Sequence, residues 1–365
     1  MKLFHRLLVP LLPFALICAT PARADHESAS KILGKWAEYQ SRLHILKPAA
    51  TPRELAPSQN AALIDSMASG AKRIVGNGMG AVVLDDGKLV FEAYDNGANR
   101  ESKMDAYSMA KSLTALAVGE ALCAGKIASL EDRAAKYVPQ LEGTAYGAAS
   151  LRQLLSYTSG AQDPGGNGYV GIHSFSDFRA VFGHSLSLID LIKKYGEARF
   201  EPGKKFIYNG LDSDTLSLVI RNATGSPLPQ WFEATVWQKA GAEFPAGWYV
   251  DRDGNAIAEM AFYATTRDFA RIGLYIADRL TGKSADKCMN DFIKDAAAPH
   301  VSKGYWDVAP KFGLGLHVGA DGNTWMFGHG AQRVGVNVKN GRVIAINGYA
   351  DWRGVDDAVQ RLLSY

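Results

Sequence analysis

Cysteine is scarce, with three in 365 residues, so the fold does not depend on crosslinks. Beyond the first two dozen residues there is no long apolar run, and nothing downstream reads as a membrane-spanning helix. An excess of one charge is also missing. The 40 Lys plus Arg stand against 37 Asp plus Glu, which leaves no basic stripe for nucleic acid. The 37 glycines keep no triplet period, no heptad run persists, and no unit repeats, which excludes collagen-like, coiled-coil and solenoid architectures. What remains is ordinary. Hydrophobic residues make up 47% and charged residues 21%, enough apolar surface to offset the entropy of ordering the chain. The length suits two domains, or one large α/β body carrying an inserted subdomain.

Several catalytic signatures are absent as well. The chain has no G-x-S-x-G elbow, no H-E-x-x-H and no P-loop. Its eight His are scattered, none at a metal-ligand spacing from another. No cofactor and no metal are expected. Gly76-Asn77-Gly78-Met79-Gly80 is one residue short of a dinucleotide fingerprint and precedes a strand, so it reads as a turn.

The N-terminus carries an export pattern. Lys2 and Arg6 precede an apolar run from Leu7 to Ala19, and Ala22-Arg23-Ala24 forms a small-x-small cleavage site. Pro10 and Pro13 would break a packed helix there. Ile17 is too large to make Cys18 a lipoprotein anchor. Residues 1–24 are therefore expected to be a signal peptide, and the mature protein secreted or periplasmic, without stable membrane insertion. Its removal takes Lys2, Arg6 and Arg23 and no acid, leaving a near-neutral chain. Cys123 lies in an apolar helical run and reads as a small core residue. A bridge to Cys288 stays open, because spacing carries no geometry.

Two β runs flank Asp86-Gly87 within 81–91, a hairpin signal. A second hairpin is expected where Val334–Val338 and Arg342–Asn347 flank Asn340-Gly341. Between them lie helical patterns. The stretch 108–124 is apolar on nearly every face, which predicts a buried helix ended by Gly125. Ser129-Leu130-Glu131-Asp132 resembles a helix start. Further helices are expected over 150–157, twice between 185 and 225, from Thr266 to Ile276, and over 355–363. Residues 161–169 read as a Gly-rich loop. The fold class is α/β of the α+β type: an antiparallel sheet built from both chain ends, flanked by helices, plus an inserted helical domain. The expected division is 25–105 with 230–365 as the α/β domain and 106–229 as the helical one.

The reactive constellation is Ser108-Met109-Ala110-Lys111 at the start of the buried helix. Residues three apart share a helix face. A Ser hydroxyl needs a neighbouring base to become nucleophilic. A Lys amine can serve once burial disfavours its charged form. A Lys on an otherwise apolar helix is costly, so it calls for a reason. The helix N-terminus also aims N–H groups where an oxyanion would develop.

The run Tyr107-Ser108-Met109-Ala110-Lys111-Ser112 resembles the first motif of the serine β-lactamase and penicillin-recognising superfamily. The likeness continues through Leu151–Gly160, Pro202–Tyr208, Ala264–Gly273 and Phe327-Gly328-His329-Gly330, covering roughly residues 80–350. Within the superfamily it is similar to the class C branch with its esterase and amidase relatives, and nearest to the 6-aminohexanoate-dimer (nylon-oligomer) hydrolases. The S-M-A-K-S form and Asp251-Arg252-Asp253-Gly254 favour that branch. The resemblance implies a β-lactamase-like fold and an acyl-enzyme serine hydrolase acting on a small amide or ester. Ser108 would be the nucleophile, Lys111 would accept its proton, and Tyr208, matching the Tyr of Y-x-N, would be companion base and proton donor. The backbone N–H groups of Ser108 and Gln332 would hold the oxyanion. His329 and Tyr169 would meet substrate; the alternatives are a strand histidine for His329 and an ordinary loop aromatic for Tyr169. Asp163 reads as a turn residue, and Trp231, Trp237 and Trp248 as core or pocket wall.

Two departures matter. Gly210 stands where Y-x-N has Asn, and His329-Gly330-Ala331 replaces K-T-G. Both weaken the reading as a β-lactamase or D,D-peptidase. A carboxylesterase, and a non-catalytic binding protein on the same fold, complete the alternatives.

Overall fold

Asp86 and Gly87 both adopt positive φ, 49° and 76°, the paired left-handed conformation of a tight two-residue hairpin turn. They join β2 (Gly80–Asp85) to β3 (Lys88–Tyr94), with Asp85 opposite Lys88. The computed structural model describes residues 29–75, 80–162, 175–304, 307–348 and 352–364. The expected signal peptide, Tyr169, Asp163 and Gly76–Met79 lie outside them.

The second hairpin pairs β11 (Gln332–Val336) with β12 (Val343–Asn347). Its strands end earlier than the Asn340-Gly341 signal predicts. Asn337 takes over the turn: its side-chain oxygen accepts from the N–H groups of Lys339 and Asn340. Strand β12 then pairs antiparallel with β2, so the two chain ends meet in one sheet. Its order is β3-β2-β12-β11-β10-β9-β8-β7, completed by β7 (Val301–Ser302), β8 (Lys311–Phe312), β9 (His317–Val318) and β10 (Thr324–Gly328). Both faces of β2 are covered. Ala81 and Val83 pack with Trp325, Val355 and Val359, while Val82 and Leu84 face the main core. Each buried Val or Leu among them contributes roughly 1.5–3 kcal/mol.

A second sheet, not anticipated from the sequence, runs β1-β5-β6-β4. It comprises β1 (Leu43–Leu46), β4 (Met104–Asp105), β5 (Ala246–Tyr249) and β6 (Phe262–Ala264). These strands are two to four residues long, too short to carry a recognisable alternation. Trp237 and Trp248 are core residues, stacked edge-on against Phe262. Trp231 is partly buried and donates from its indole to Ala117 O.

Between Asp105 and Ala246 the described residues form helices and turns and no strand. The helix Met109–Cys123 is buried from Met109 through Ala121, as its all-round apolar surface predicts. Gly125, at φ 66°, closes it: its N–H reaches Leu122 O and that of Lys126 reaches Ala121 O, the glycine-dependent Schellman closure. The helix expected at Ser129–Asp132 does not form. Asp132 turns its carboxylate back to the Ser129 N–H and forward to the Tyr137 hydroxyl. Such side-chain bonds compete with helical ones, and only a 3₁₀ turn, Ala134–Lys136, follows.

Cys123 is not a free core thiol. It is bridged to Cys288, which ties the end of the Met109–Cys123 helix to the start of the helix Lys287–Ala296. The two cysteines lie 165 residues apart, so only the folded geometry reveals the pair. Among the described residues no helix is long and apolar enough to cross a membrane.

Candidate active site

Ser108 is the N-terminal cap of the Met109–Cys123 helix, and its side chain makes no capping bond. The preceding Tyr107 has a positive φ of 45°, an uncommon conformation for a non-glycine residue. The Asp105 carboxylate holds it there by accepting from the Tyr107 N–H at 2.8 Å. This kink leaves Ser108 part-exposed.

One helical turn on, Lys111 Nζ donates to Ser108 Oγ at 3.1 Å and to Glu259 O at 2.6 Å. Lys111 is only 4% exposed. Burial pushes its ammonium below the ordinary lysine range, opposed by the charges of Glu259 and Asp214. Burial drives the Tyr208 phenol well above the ordinary tyrosine range, an upward push that the neighbouring Ser108 side chain opposes. Lys111 Nζ lies 5.2 Å from the centre of the Tyr208 ring. Thus Ser108, Lys111 and Tyr208 share one cluster, although 100 residues separate the first from the last.

Tyr208 is wedged among aromatics. Its ring lies 5.0 Å from Tyr157 and 6.2 Å from His317. Tyr157, itself at a positive φ of 54°, shares a hydrogen bond with Ser213 at 2.8 Å and packs against Phe312 at 5.1 Å. His317 is buried between Phe312 and Phe327. Desolvation, together with the cationic neighbours Lys303, Arg333 and Lys111, depresses its pKa well below the ordinary histidine value.

Gln332 opens β11, opposite Gly328 at the end of β10. The approach of this hairpin to the serine segment depends on Gly328: a Cβ there would lie 2.2 Å from Ala106 O. Only glycine lets the hairpin lie so close to the strand leading into Ser108. The Gln332 side chain turns away, donating to Gly348 O and accepting from Asn347. His329 is not in a strand but in the exposed turn joining β10 to β11. Its ring meets that of Tyr107 edge-on at 5.6 Å, and Lys35 Nζ donates to the Tyr107 hydroxyl at 3.0 Å. His329 therefore stands beside the residue before Ser108.

Sequence reasoning missed Glu259, Asp214 and His317. Glu259 and Asp214 surround the lysine and His317 backs the tyrosine, yet each reaches the site from a separate segment, and no local pattern marks them. Tyr157 did lie within a stretch singled out by its resemblance, but nothing distinguished it there. Among the described residues, no group of His, Cys, Asp and Glu side chains is placed to hold a metal ion.

The beta-lactamase family pattern matches residues 67–351, and the chain belongs to that family. The resemblance carried by the motifs therefore holds, and with it the β-lactamase-like mixed α/β fold. Solved structures agree. A Bacillus anthracis protein described as a candidate 6-aminohexanoate-dimer hydrolase superposes with a TM-score of 0.71 at 18% identity, covering 92% of each chain. A D-stereospecific amidohydrolase from Streptomyces sp. gives 0.60 at 18%, covering 83% of this chain and 98% of its own. EstCE1, a hydrolase with promiscuous acyltransferase activity, gives 0.65 at 16%, covering 82% and 98%. At such identities the likeness is one of fold. No curated protein matches the chain. The family is one of β-lactamase-like hydrolases.

Proposed function

We propose that the protein is a serine hydrolase that cleaves small linear amides or esters through an acyl-enzyme on Ser108. The observation that carries this reading is that Lys111 Nζ donates to the Ser108 hydroxyl at 3.1 Å while lying 5.2 Å from the centre of the Tyr208 ring. The two pKa directions support a division of roles. A lysine pushed down can be the neutral amine that takes the Ser108 proton, whereas a tyrosine pushed up keeps its proton. Ser108 Oγ attacks the carbonyl carbon as its proton passes to Lys111. The oxyanion faces the backbone N–H groups of Ser108 and Gln332. The phenol of Tyr208 then protonates the leaving amine or alkoxide and is reprotonated from Lys111. Water enters and deacylates by the same proton path reversed.

Linear substrates are favoured over β-lactams because of what stands at the third motif. His329 carries no fixed positive charge to meet an antibiotic carboxylate, and its ring rests on Tyr107. Substrate contact by His329 and Tyr169 belongs to the same proposal, as does an insertion of 106–229 as a helical domain. Export is part of it too: the pattern over residues 1–24 and the Cys123–Cys288 bridge both suit an oxidising compartment.

The test is intact-mass spectrometry of the mature protein mixed with a p-nitrophenyl ester, a cephalosporin or a linear aminohexanoate dimer, with product release followed alongside. An adduct on Ser108, with turnover of ester or linear amide and little of the cephalosporin, is expected. Full activity in Ser108→Ala, or no adduct with any probe, would sink the proposal. Fast cephalosporin turnover would move the substrate class to β-lactams.

A further inference from the structure

Gly210 opens the helix Gly210–Thr224, just after Asn209, whose side-chain oxygen caps the Leu211 N–H at 3.1 Å. The position is glycine because there is no room for more. A Cβ at Gly210 would lie 1.7 Å from Glu259 Oε2 and 2.6 Å from Glu259 Cδ. The space in which the Y-x-N motif carries an amide side chain is filled here by a carboxylate from a segment some fifty residues on. That segment is pinned to the same helix, since Asp214 Oδ1 accepts from the N–H groups of Ala258 and Glu259 at 2.8 and 3.2 Å. Glu259 is 1% exposed, and its backbone oxygen accepts from Lys111 Nζ at 2.6 Å.

We propose that Glu259 is a positioning residue for Lys111, replacing the motif amide that Gly210 lacks and adding a negative charge beside the lysine. The proposal rests on the acyl-enzyme reading above. Glu259 acts on the lysine twice, by orienting Nζ through its carbonyl and by stabilising the ammonium through its carboxylate. The groups facing Lys111 are Ser108 on its own helix, Tyr208 and Asp214 from the 208–224 segment, Glu259 from the turn before β6, and His317 from β9. Of these, Glu259 and Asp214 favour the charged form, and Glu259 has the larger effect. A neutral amide in its place would leave burial less opposed. Gly210 and Glu259 are thus a matched pair: a larger residue at 210 has no space while Glu259 is present.

The test follows the burst of p-nitrophenolate from p-nitrophenyl acetate across pH in the wild type, Glu259→Gln, Glu259→Ala, and the double variant Gly210→Asn with Glu259→Ala. The limb governed by Lys111 should move to lower pH by about one unit or more in Glu259→Gln, as expected when a close opposite charge is removed. The double variant, with an amide supplied from residue 210, should share that displaced limb and recover burst rate relative to Glu259→Ala alone. A Glu259→Gln profile superimposable on the wild type overturns the proposal. Should Glu259→Gln fail to fold by circular dichroism, an undisplaced limb in the double variant overturns it equally. The two readings fail differently: no burst and no Ser108 adduct in the wild type removes the acyl-enzyme, whereas a burst with unchanged pH dependence removes only the role of Glu259.

Discussion

Lys111 sits with its ammonium 5.2 Å from the centre of the Tyr208 ring, and burial moves the two groups in opposite directions, the lysine down and the tyrosine up. The sequence left both as possible bases for Ser108. Desolvation penalises whichever form is charged, so it makes a neutral lysine easier to reach and a tyrosinate harder. In the proposed mechanism burial separates base from acid, because the two groups start from similar ordinary values.

If Tyr208 is the proton donor to the leaving group, Tyr208→Phe should separate substrates. Hydrolysis of a linear amide should fall by about 10²–10⁴-fold, the usual worth of general acid catalysis. A p-nitrophenyl ester, whose leaving group departs without a proton, should lose far less. Steady-state rates on both substrates check this, and equal losses would remove the donor role.

Gly328→Ala should damage turnover. The added methyl would meet Ala106 O at 2.2 Å, so the β10–β11 hairpin must back away from the segment leading into Ser108. A shift of this kind should lower kcat by about 10–100-fold with KM little changed. Active-site titration with a p-nitrophenyl ester would correct for misfolded protein. An unchanged kcat per titrated site would mean the hairpin has no positioning role.

The Cys123–Cys288 bridge closes a loop of more than 160 residues. Its reduction, or Cys288→Ser, should destabilise the protein by about 2–5 kcal/mol. Urea unfolding with and without a phosphine reductant measures this. Coincident curves would show that the bond constrains little in the unfolded chain.

His317 should make the protein acid-sensitive. Its folded-state pKa lies well below the ordinary value, so below about pH 6.5 the unfolded chain binds a proton that the native state refuses. Stability therefore rises with pH through that window and is lost as pH falls below it. His317→Gln should flatten the slope of unfolding free energy just below pH 6.5. An unaltered slope would place the native-state titration of His317 near its ordinary value.

Much of this was legible in the chain itself. Local chemistry determined the Asp86-Gly87 hairpin, the buried helix with its Gly125 closure, and the Ser108–Lys111 pair on one helical face, since each depends on neighbours within a few residues. Resemblance in a handful of spaced motifs brought Tyr208 to the same site. Tertiary structure alone decided the rest. The four-stranded sheet has strands too short for periodicity to register. Cys123 met a partner 165 residues away, and Glu259 came to fill the space above Gly210. Contacts of that kind rest on where distant segments pack, and packing has no signature in the order of residues along the chain.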